Sequence, residues 1–389
     1  MPTSLNSSRH IHVGVNAHLL SAEASYRRAG IHQYIYQTLR HLPPGDGRTV
    51  TIYTRQTEGW PNRDDLRLAG TRLPTEKRLA RIAWEQVVWP VVARRDGLTL
   101  IHSMAFAMPR LAPCPTVVTI YDLSFIEFPD LYPAAQRRYL MNETAFSCGH
   151  ATRLIAISES GRQDIHRLYG VSPTRIDVIT PGTADIFRPL PTEEVAAFRQ
   201  QHNLPESFFL HVGTLQPRKN IPVLLDALSI LNRPEANLVL VGGKGWIYNE
   251  IFETVDRLGF RDRVRFEGYA NDEDLPLWYN AAAALVLPSL YEGFGMPVVE
   301  ALACGTPVIA SNSSSLPEAG GDVALYFDPN DAAALAGQMA RVLNDPAIRR
   351  RAQTEGPQHA ARFSWPRAGE QLASVYDRAA AQTGTEAAR

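Results

Sequence analysis

Cysteine is scarce in this chain: only Cys114, Cys148 and Cys304 occur, far apart and without metal-ligand spacing. They read as buried, reduced thiols in a cytoplasmic protein. Lysine is equally rare, at positions 77, 219 and 244, with arginine supplying the rest of the basic charge. Codon bias accounts for the scarcity, yet two of the three lysines fall in loops that follow strands. Long apolar runs are missing, since none approaches the roughly 18 residues of a spanning helix. The leading MPTSLNSSRH is polar, and the IHVGVNAHLL after it is too short and too interrupted for the apolar region of a secretion signal. A net excess of charge is missing too, and the formal value of −1 gives no overall pull toward nucleic acid. The eleven histidines show no H-x-x-x-H spacing suited to zinc. His18 and His32 lie near a glycine turn, within reach of a ligand there, but surface placement is the expectation for both.

What is present is ordinary globular composition, 45% hydrophobic and 20% charged, over 389 residues, enough for two cores. Short β-branched runs alternate with amphipathic stretches, the pattern of parallel sheets with crossover helices. Strands are expected at 12–15, 50–53, 98–102, 116–120, 153–157 and 177–180. A second set is expected at 208–212, 237–241, 264–266, 284–288, 307–311 and 324–327. Helices are expected at 30–42, 76–94, 134–147, 160–169, 222–231, 248–258, 274–282, 297–303 and 332–344. The segment TPGTADIFRPLPTEEV reads as a linker, so the chain divides into 1–184, 185–364 and a terminal helix in 365–389. Two doubly wound α/β domains leave a crevice at the carboxyl ends of their strands, where such sheets bind ligands.

Three loops after strands carry chemistry. In HVGTLQPRKN, Gly213 permits a tight turn, and Arg218 and Lys219 place two cations beside a helix start, a favourable site for a diphosphate. A solvated basic turn explains that segment equally well. In LVLVGGKGW, Gly243 and Lys244 sit in a glycine-rich turn whose backbone can approach an anion, although any tight connection uses glycine. In PSLYEGFGMPVVEALACGTPVIAS, the amides of Phe294, Gly295 and Met296 lead into a helix with Pro297 in its first turn. Glu292 precedes that helix and Glu300 lies within it. Carboxylates beside an anion site fit a ligand that has hydroxyls as well as phosphates. Read singly, Glu292 is a surface loop acid and Glu300 a helix acid favoured by the dipole.

Residues from about 208 to 330 resemble the donor domain of glycosyltransferase family 4, retaining enzymes of the GT-B fold. The resemblance rests on VGTLQPRKN, LVGGKGW, VRFEGYANDEDLPLWYNAA and PSLYEGFGMPVVEALACGTPVIASNSSSLPE together. It implies that Arg218 and Lys219 hold the donor diphosphate, that Glu292 contacts the transferred sugar and that Glu300 binds the ribose. The Phe294 and Gly295 amides then serve sugar and phosphate. The first half is similar more loosely, as an acceptor-binding domain. AGIHQYIYQTL resembles the family's glycine turn, which puts Gly30 near the phosphates. VTIYDLSFIEFPDLYP resembles a segment that carries His-Asp in the family. Here it reads Tyr121-Asp122, which puts the usual histidine contact with the donor sugar in question. FSWPRAGEQLASVYDRA resembles the family's last helix, which crosses back onto the first domain.

The resemblance further implies transfer from a nucleoside diphosphate sugar with retention and no bound metal or cofactor. The GGKGW and YEGFG stretches look most like bacterial mannosyltransferases, so GDP-mannose is the first expectation, with a glycan or lipid-linked saccharide of O-antigen type as acceptor. Three other readings stand beside it: a nucleotide-sugar epimerase of the same fold, an inert scaffold, and a dehydrogenase, for which VNAHLLSAEAS supplies no G-x-G-x-x-G. Asp272-Glu273-Asp274 matches a metal-binding DxD but sits where acids cap a helix. Residues 72–95 combine six basic residues with Trp84 and Trp89. A core-facing helix with a solvated basic side is the favoured reading there, and peripheral contact with an anionic membrane the other.

Overall fold

The computed structural model describes residues 10–20, 30–45, 47–245 and 248–386. Trp246, in the glycine-rich stretch, and residues 21–29, which precede Gly30, lie outside them. Strands β1 (Ile11–Asn16), β2 (Arg48–Tyr53), β3 (Leu66–Ala69), β4 (Leu100–Ser103), β5 (Thr116–Ile120), β6 (Arg153–Ala156) and β7 (Ile176–Val178) form one sheet, in the order β3-β2-β1-β4-β5-β6-β7. Strands β8 (Phe208–Val212), β9 (Asn237–Val241), β10 (Val264–Gly268), β11 (Ala284–Leu287), β12 (Val308–Ser311) and β13 (Leu325–Phe327) form the other, ordered β10-β9-β8-β11-β12-β13. The pairings are parallel throughout, from β1 with β2 to β12 with β13. Both sheets are doubly wound, as the alternating pattern requires, and β4, β5, β6, β8 and β11 are buried at every position.

All twelve expected strands are present, three of them, β5, β8 and β9, with the expected ends. The thirteenth, β3, was missed because LRLA pairs only at the sheet edge and exposes its middle residues. The helix Thr192–Gln201 begins inside the segment read as linker, whose proline at position 191 is the N-cap. The helix Pro346–Ala360 was also missed. It carries an arginine run and an internal Pro357, neither of which reads as an amphipathic pattern. Its Gly356 is close-packed, because a Cβ there would lie 2.6 Å from the Leu302 carbonyl oxygen.

The expected helix at 76–94 is three pieces: Arg78–Ala83, a π turn Trp84–Val88, and Trp89–Arg95. The extra residue of the π turn puts Trp84 and Trp89 on one face, stacked with centroids 5.4 Å apart and both buried. The last helix, Trp365–Glu386, packs on the first half. Tyr376 meets His102 of β4 at 2.9 Å, and Arg378 donates to Asp177 of β7 at 2.7 Å. Two chain crossings therefore join the halves, and they run side by side. Thr183 bridges Ser364 in parallel, and Thr183 N donates to the Phe363 carbonyl at 3.1 Å.

Candidate active site

The loop after β8 and the loop after β11 meet at the carboxyl edge of the second sheet. Pro217–Lys219 forms one 3-10 turn, and Asn220, in the left-handed region at φ 54°, starts the helix Ile221–Leu231. That turn aims both cations at one carboxylate. Arg218 Nη1 donates to Glu292 Oε2 at 2.7 Å and to the Tyr291 carbonyl at 2.8 Å. Lys219 Nζ donates to Glu292 Oε1, which also accepts from Ser289 Oγ at 2.6 Å. Glu292 is 7% exposed, so the reading of it as a surface loop acid is corrected: the loop folds inward to meet the two cations. Burial acts to raise its pKa, but Arg218 and Lys219 outweigh burial and hold the carboxyl well below its ordinary range.

Four serines at and just after the end of β12 lock this loop. Ser314 Oγ accepts from Glu292 N at 2.8 Å, and Ser315 Oγ donates to the Glu292 carbonyl at 2.9 Å. Ser311 and Ser313 both donate to the Ser289 carbonyl, at 2.6 and 2.9 Å. The serines were legible only as part of a matching stretch, since their partners lie about 22 residues away in sequence. Behind them the chain turns at Gly295, the N-cap of the helix Met296–Ala303, with φ 106°. A Cβ at Gly295 would lie 2.7 Å from Leu316 Cδ2, so position and backbone both require glycine. Among the described residues, the amides of Phe294, Gly295 and Met296 have no backbone acceptor, which leaves a helix N-terminus suited to an anion.

Glu300 projects from this helix, 9% exposed, and accepts from the Tyr279 hydroxyl at 2.7 Å. Burial raises its pKa to about 7, so it is partly protonated near neutrality and able to donate as well as accept. His211 of β8 lies beneath the cation pair, fully buried. Its Nδ1 faces the Val286 carbonyl at 3.1 Å and its Nε2 has no partner. Burial pulls its pKa down to about 4, so it is a neutral ring under Lys219. Nothing in the sequence pattern singled it out.

The other glycine loop is tied to the first. Leu215 N donates to the Gly243 carbonyl and Gly245 N to the Leu215 carbonyl, at 2.9 and 3.0 Å. A Cβ at Gly242 would fall 2.0 Å from the Gly213 carbonyl, so the two turns pack backbone to backbone. Lys244 stands apart from Glu292, exposed, over the rings of Tyr248 and Phe252 at 5.5 and 5.3 Å.

The first half closes the other side. Asp122 lies within electrostatic reach of Arg218 and Lys219 and accepts from Ser124 Oγ at 2.6 Å. Ser124 Oγ also meets the Tyr132 hydroxyl at 2.6 Å. Neither Ser124 nor Tyr132 was foreseen. Tyr121 is turned inward: its hydroxyl donates to the Met104 carbonyl at 2.6 Å, and its ring packs edge-on to Tyr34 at 5.4 Å. Its carbonyl oxygen faces Gly293, where a Cβ would come within 2.4 Å. What it brings to the cleft is therefore backbone, with the hydroxyl engaged in the core. Gly30, at φ 57°, starts the helix Ile31–Arg40 with open space around it. From that helix Gln33 donates to Asp272 at 2.8 Å, while Asp274 occupies its expected cap position without a side-chain cap bond.

Other expectations are corrected. His18 and His32 are each 5% exposed, because the loop after β1 and the helix after it fold against the core. Cys148 and Cys304 are buried, but Cys114 is half-buried; all three are free. No group of His, Cys, Asp and Glu suited to a metal occurs among the described residues. No helix among them is long and apolar enough to cross a membrane.

Comparison with known proteins gives both halves a family. The pattern described as "Glycosyltransferase Family 4" matches residues 28–184, and that described as "Glycosyl transferases group 1" matches residues 193–359. An O-antigen chain mannosyltransferase B of Escherichia coli is 35% identical over 281 residues, 71% of this chain and 74% of its own length. Among solved structures, a sucrose-phosphate synthase from Thermosynechococcus elongatus superposes with TM-score 0.75 at 26% identity, covering 95% of this chain and 98% of that one. The HepE protein of Anabaena, solved with UDP and glucose, gives TM-score 0.72 at 20% identity, covering 94% and 99%.

Proposed function

This chain belongs to glycosyltransferase family 4 with the GT-B fold, and from that premise we propose that it transfers mannose from GDP-mannose to a glycan or lipid-linked saccharide, with retention of configuration. The observation that carries the reading is the convergence of Arg218 and Lys219 on Glu292 beside the amide-rich start of the helix Met296–Ala303. The mannose part draws on the mannosyltransferase of Escherichia coli, and O-antigen synthesis is the process that relative's name supplies.

In this reading the halves divide the work, with 1–184 taking the acceptor and 185–364 the donor. A peripheral membrane contact through 72–95 at the inner face of the membrane belongs to the lipid-linked version of the acceptor. Arg218, Lys219 and the amides at 294–296 stabilise charge that develops on the leaving diphosphate, from groups already oriented. Gly213 and Gly243 let backbone approach the phosphates, and Lys244 swings from its aromatic seat to join them. Glu292 passes to the sugar hydroxyls and Glu300 to the ribose, while Gly30 and the Tyr121–Asp122 segment close from the first half. The leaving phosphate accepts the acceptor's proton on the front face of the sugar. No enzyme nucleophile is required, and trapping a covalent glycosyl-enzyme would overturn this path.

The test is a thermal-shift series with GDP, UDP, TDP and ADP, then their sugar conjugates, since a ligand that binds only the folded state raises its stability by mass action. A shift with GDP and GDP-mannose is expected. Preference for UDP, the nucleotide bound in the Anabaena neighbour, would replace the donor and keep the transferase.

A further inference from the structure

A cavity of about 380 Å³ opens at the amino edge of the second sheet, the end away from Arg218 and Glu292. Ser207 and Ala283, which line it, stand just before β8 and β11, whereas the loops of the candidate active site follow those same parallel strands. Its volume lies within the range of small-molecule sites. Two arginines enter it from different helices: Arg199 from Thr192–Gln201 and Arg349 from the first turns of Pro346–Ala360.

Backbone carbonyls hold both guanidiniums. Arg199 Nη1 donates to the Ala281 carbonyl at 2.6 Å, and its Nη2 to those of Pro205 and Glu206 at 2.5 and 2.6 Å. Arg349 Nη2 donates to the Ala282 and Ala283 carbonyls at 2.7 and 3.1 Å. The pair thus clamps the chain leaving the helix Leu275–Ala281, and two like charges are brought together there. Among the described residues neither guanidinium forms an ion pair, and Glu206, although it lines the cavity, is exposed. Burial, and after it Arg199, pulls the pKa of Arg349 down. Arg349 Nε and Nη1 have no hydrogen-bond partner among the described residues, so an edge with unused donors remains. Charges withdrawn from water are ordinarily paired. Here the counter-charge is missing.

We propose that this cavity binds a small phosphate monoester, such as a sugar phosphate. A monoester carries close to two negative charges near neutrality, which matches two guanidiniums in charge and in fork geometry. A carboxylate would answer one charge and leave the other. Val195, Val342 and Leu343 offer apolar surface to the body of the ligand, and Ser207 offers a hydroxyl. The position gives such a ligand reach. Asn280, in the cavity wall, donates to the Arg188 carbonyl and accepts from Leu190 N, both at 3.0 Å, and so holds the chain that follows the crossing at Thr183. The helix that carries Arg349 leads into the other crossing, at Ser364. A ligand joining Arg199 to Arg349 therefore ties the two segments on which the halves turn, away from the cleft itself.

Calorimetric titration of the full chain with mannose 1-phosphate, inorganic phosphate and, at matched ionic strength, sodium chloride tests the site. Wild type, S207D, R349Q and R218Q are compared, the last because it removes a cation from the donor cleft and so separates phosphate held there from phosphate held here. Binding of mannose 1-phosphate is expected in wild type and R218Q alike, tighter than inorganic phosphate, with no response to chloride. S207D sets a carboxylate beside the two arginines and is expected to weaken binding about tenfold or more, with its melting point close to that of the wild type. R349Q is expected to weaken it as well. The proposal is overturned if the wild type binds no monoester, if S207D and R349Q bind as the wild type does, or if R218Q alone abolishes binding. Inorganic phosphate bound as tightly as the monoester would assign the cavity to the free ion and overturn the monoester. Failure to bind GDP would refute the donor reading and leave this one standing.

Discussion

Glu292 neutralises both Arg218 and Lys219, the two cations proposed above for the donor diphosphate. On that proposal a donor displaces it, and the displaced carboxylate then becomes available for sugar hydroxyls. E292Q leaves two buried cations without their counter-ion, a change that costs about 3 to 5 kcal/mol when a buried pair is broken. The ligand-free variant should melt below the wild type. Nucleoside diphosphate should then raise its midpoint more than it raises that of the wild type, by restoring the missing negative charge. Equal shifts in the two proteins would show that Glu292 does not act as a stand-in for phosphate. A second residue-scale effect concerns Glu85 and Glu300, whose carboxyls burial raises to about 7. A raised carboxyl stabilises the fold fully below its unfolded value near 4.5 and loses that contribution as pH climbs through 7. Ligand-free protein should therefore melt higher at pH 6 than at pH 8, and E85Q should shrink the difference; an unchanged difference in E85Q would clear Glu85 of the effect. Arg218, Lys219 and Glu292 could be read in the sequence because each stands in a stretch with a chemical pattern. His211 and Ser314 could not, since each takes its meaning from a neighbour brought by the fold.

Elements show a similar split between local and distant causes. Buried parallel strands announce themselves as apolar β-branched runs, which is why β5, β8 and β9 were read to their ends. The edge strand β3 and the helix Thr192–Gln201 lack such a stripe, and their structure comes from pairing and packing that no local pattern encodes. The π turn at Trp84–Val88 is likewise invisible as periodicity, because one inserted residue shifts the register of everything after it. Gly295 belongs to this scale, as the hinge from which the helix Met296–Ala303 points its amides. Its φ of 106° is unfavourable for an L-residue, and an alanine methyl would strike Leu316. G295A should lower stability by about 1 to 3 kcal/mol. It should also weaken nucleotide binding beyond what its melting point explains, because the helix start must move away from Leu316. Calorimetry of binding, well below the melting point, separates the two effects. Wild-type affinity in a destabilised G295A would mean that these amides do not hold the ligand.

The whole molecule is held closed by contacts that reach from one half to the other. Glu318, from the second half, accepts from the Glu159 and Ser160 amides at 2.7 and 2.5 Å, so its carboxylate sits on the first turn of the helix Glu159–Tyr169. Beside it the Tyr291 hydroxyl donates to Asp164 of that helix at 2.6 Å, while the carbonyl of Tyr291 accepts from Arg218. The interdomain contact is therefore one residue removed from the cation pair. With the donor site proposed above, closure and donor binding share a loop, and a ligand that reorients Arg218 acts on the interface directly. An anion at a helix N-terminus is worth up to about 2 kcal/mol, roughly thirtyfold in a closed-to-open ratio. Because the two chain crossings at Thr183 and Ser364 run together, the halves can separate about that line without unfolding either sheet. E318A should thus open the ligand-free protein, seen as a larger radius of gyration in X-ray scattering, with the melting of each half little changed. Saturating nucleotide should bring the radius back toward the wild-type value, and the apparent affinity should fall by the fraction of protein that must first close. An E318A protein as compact as the wild type, with unaltered affinity, would mean that packing around Gly293 and Tyr121 suffices to keep the cleft shut.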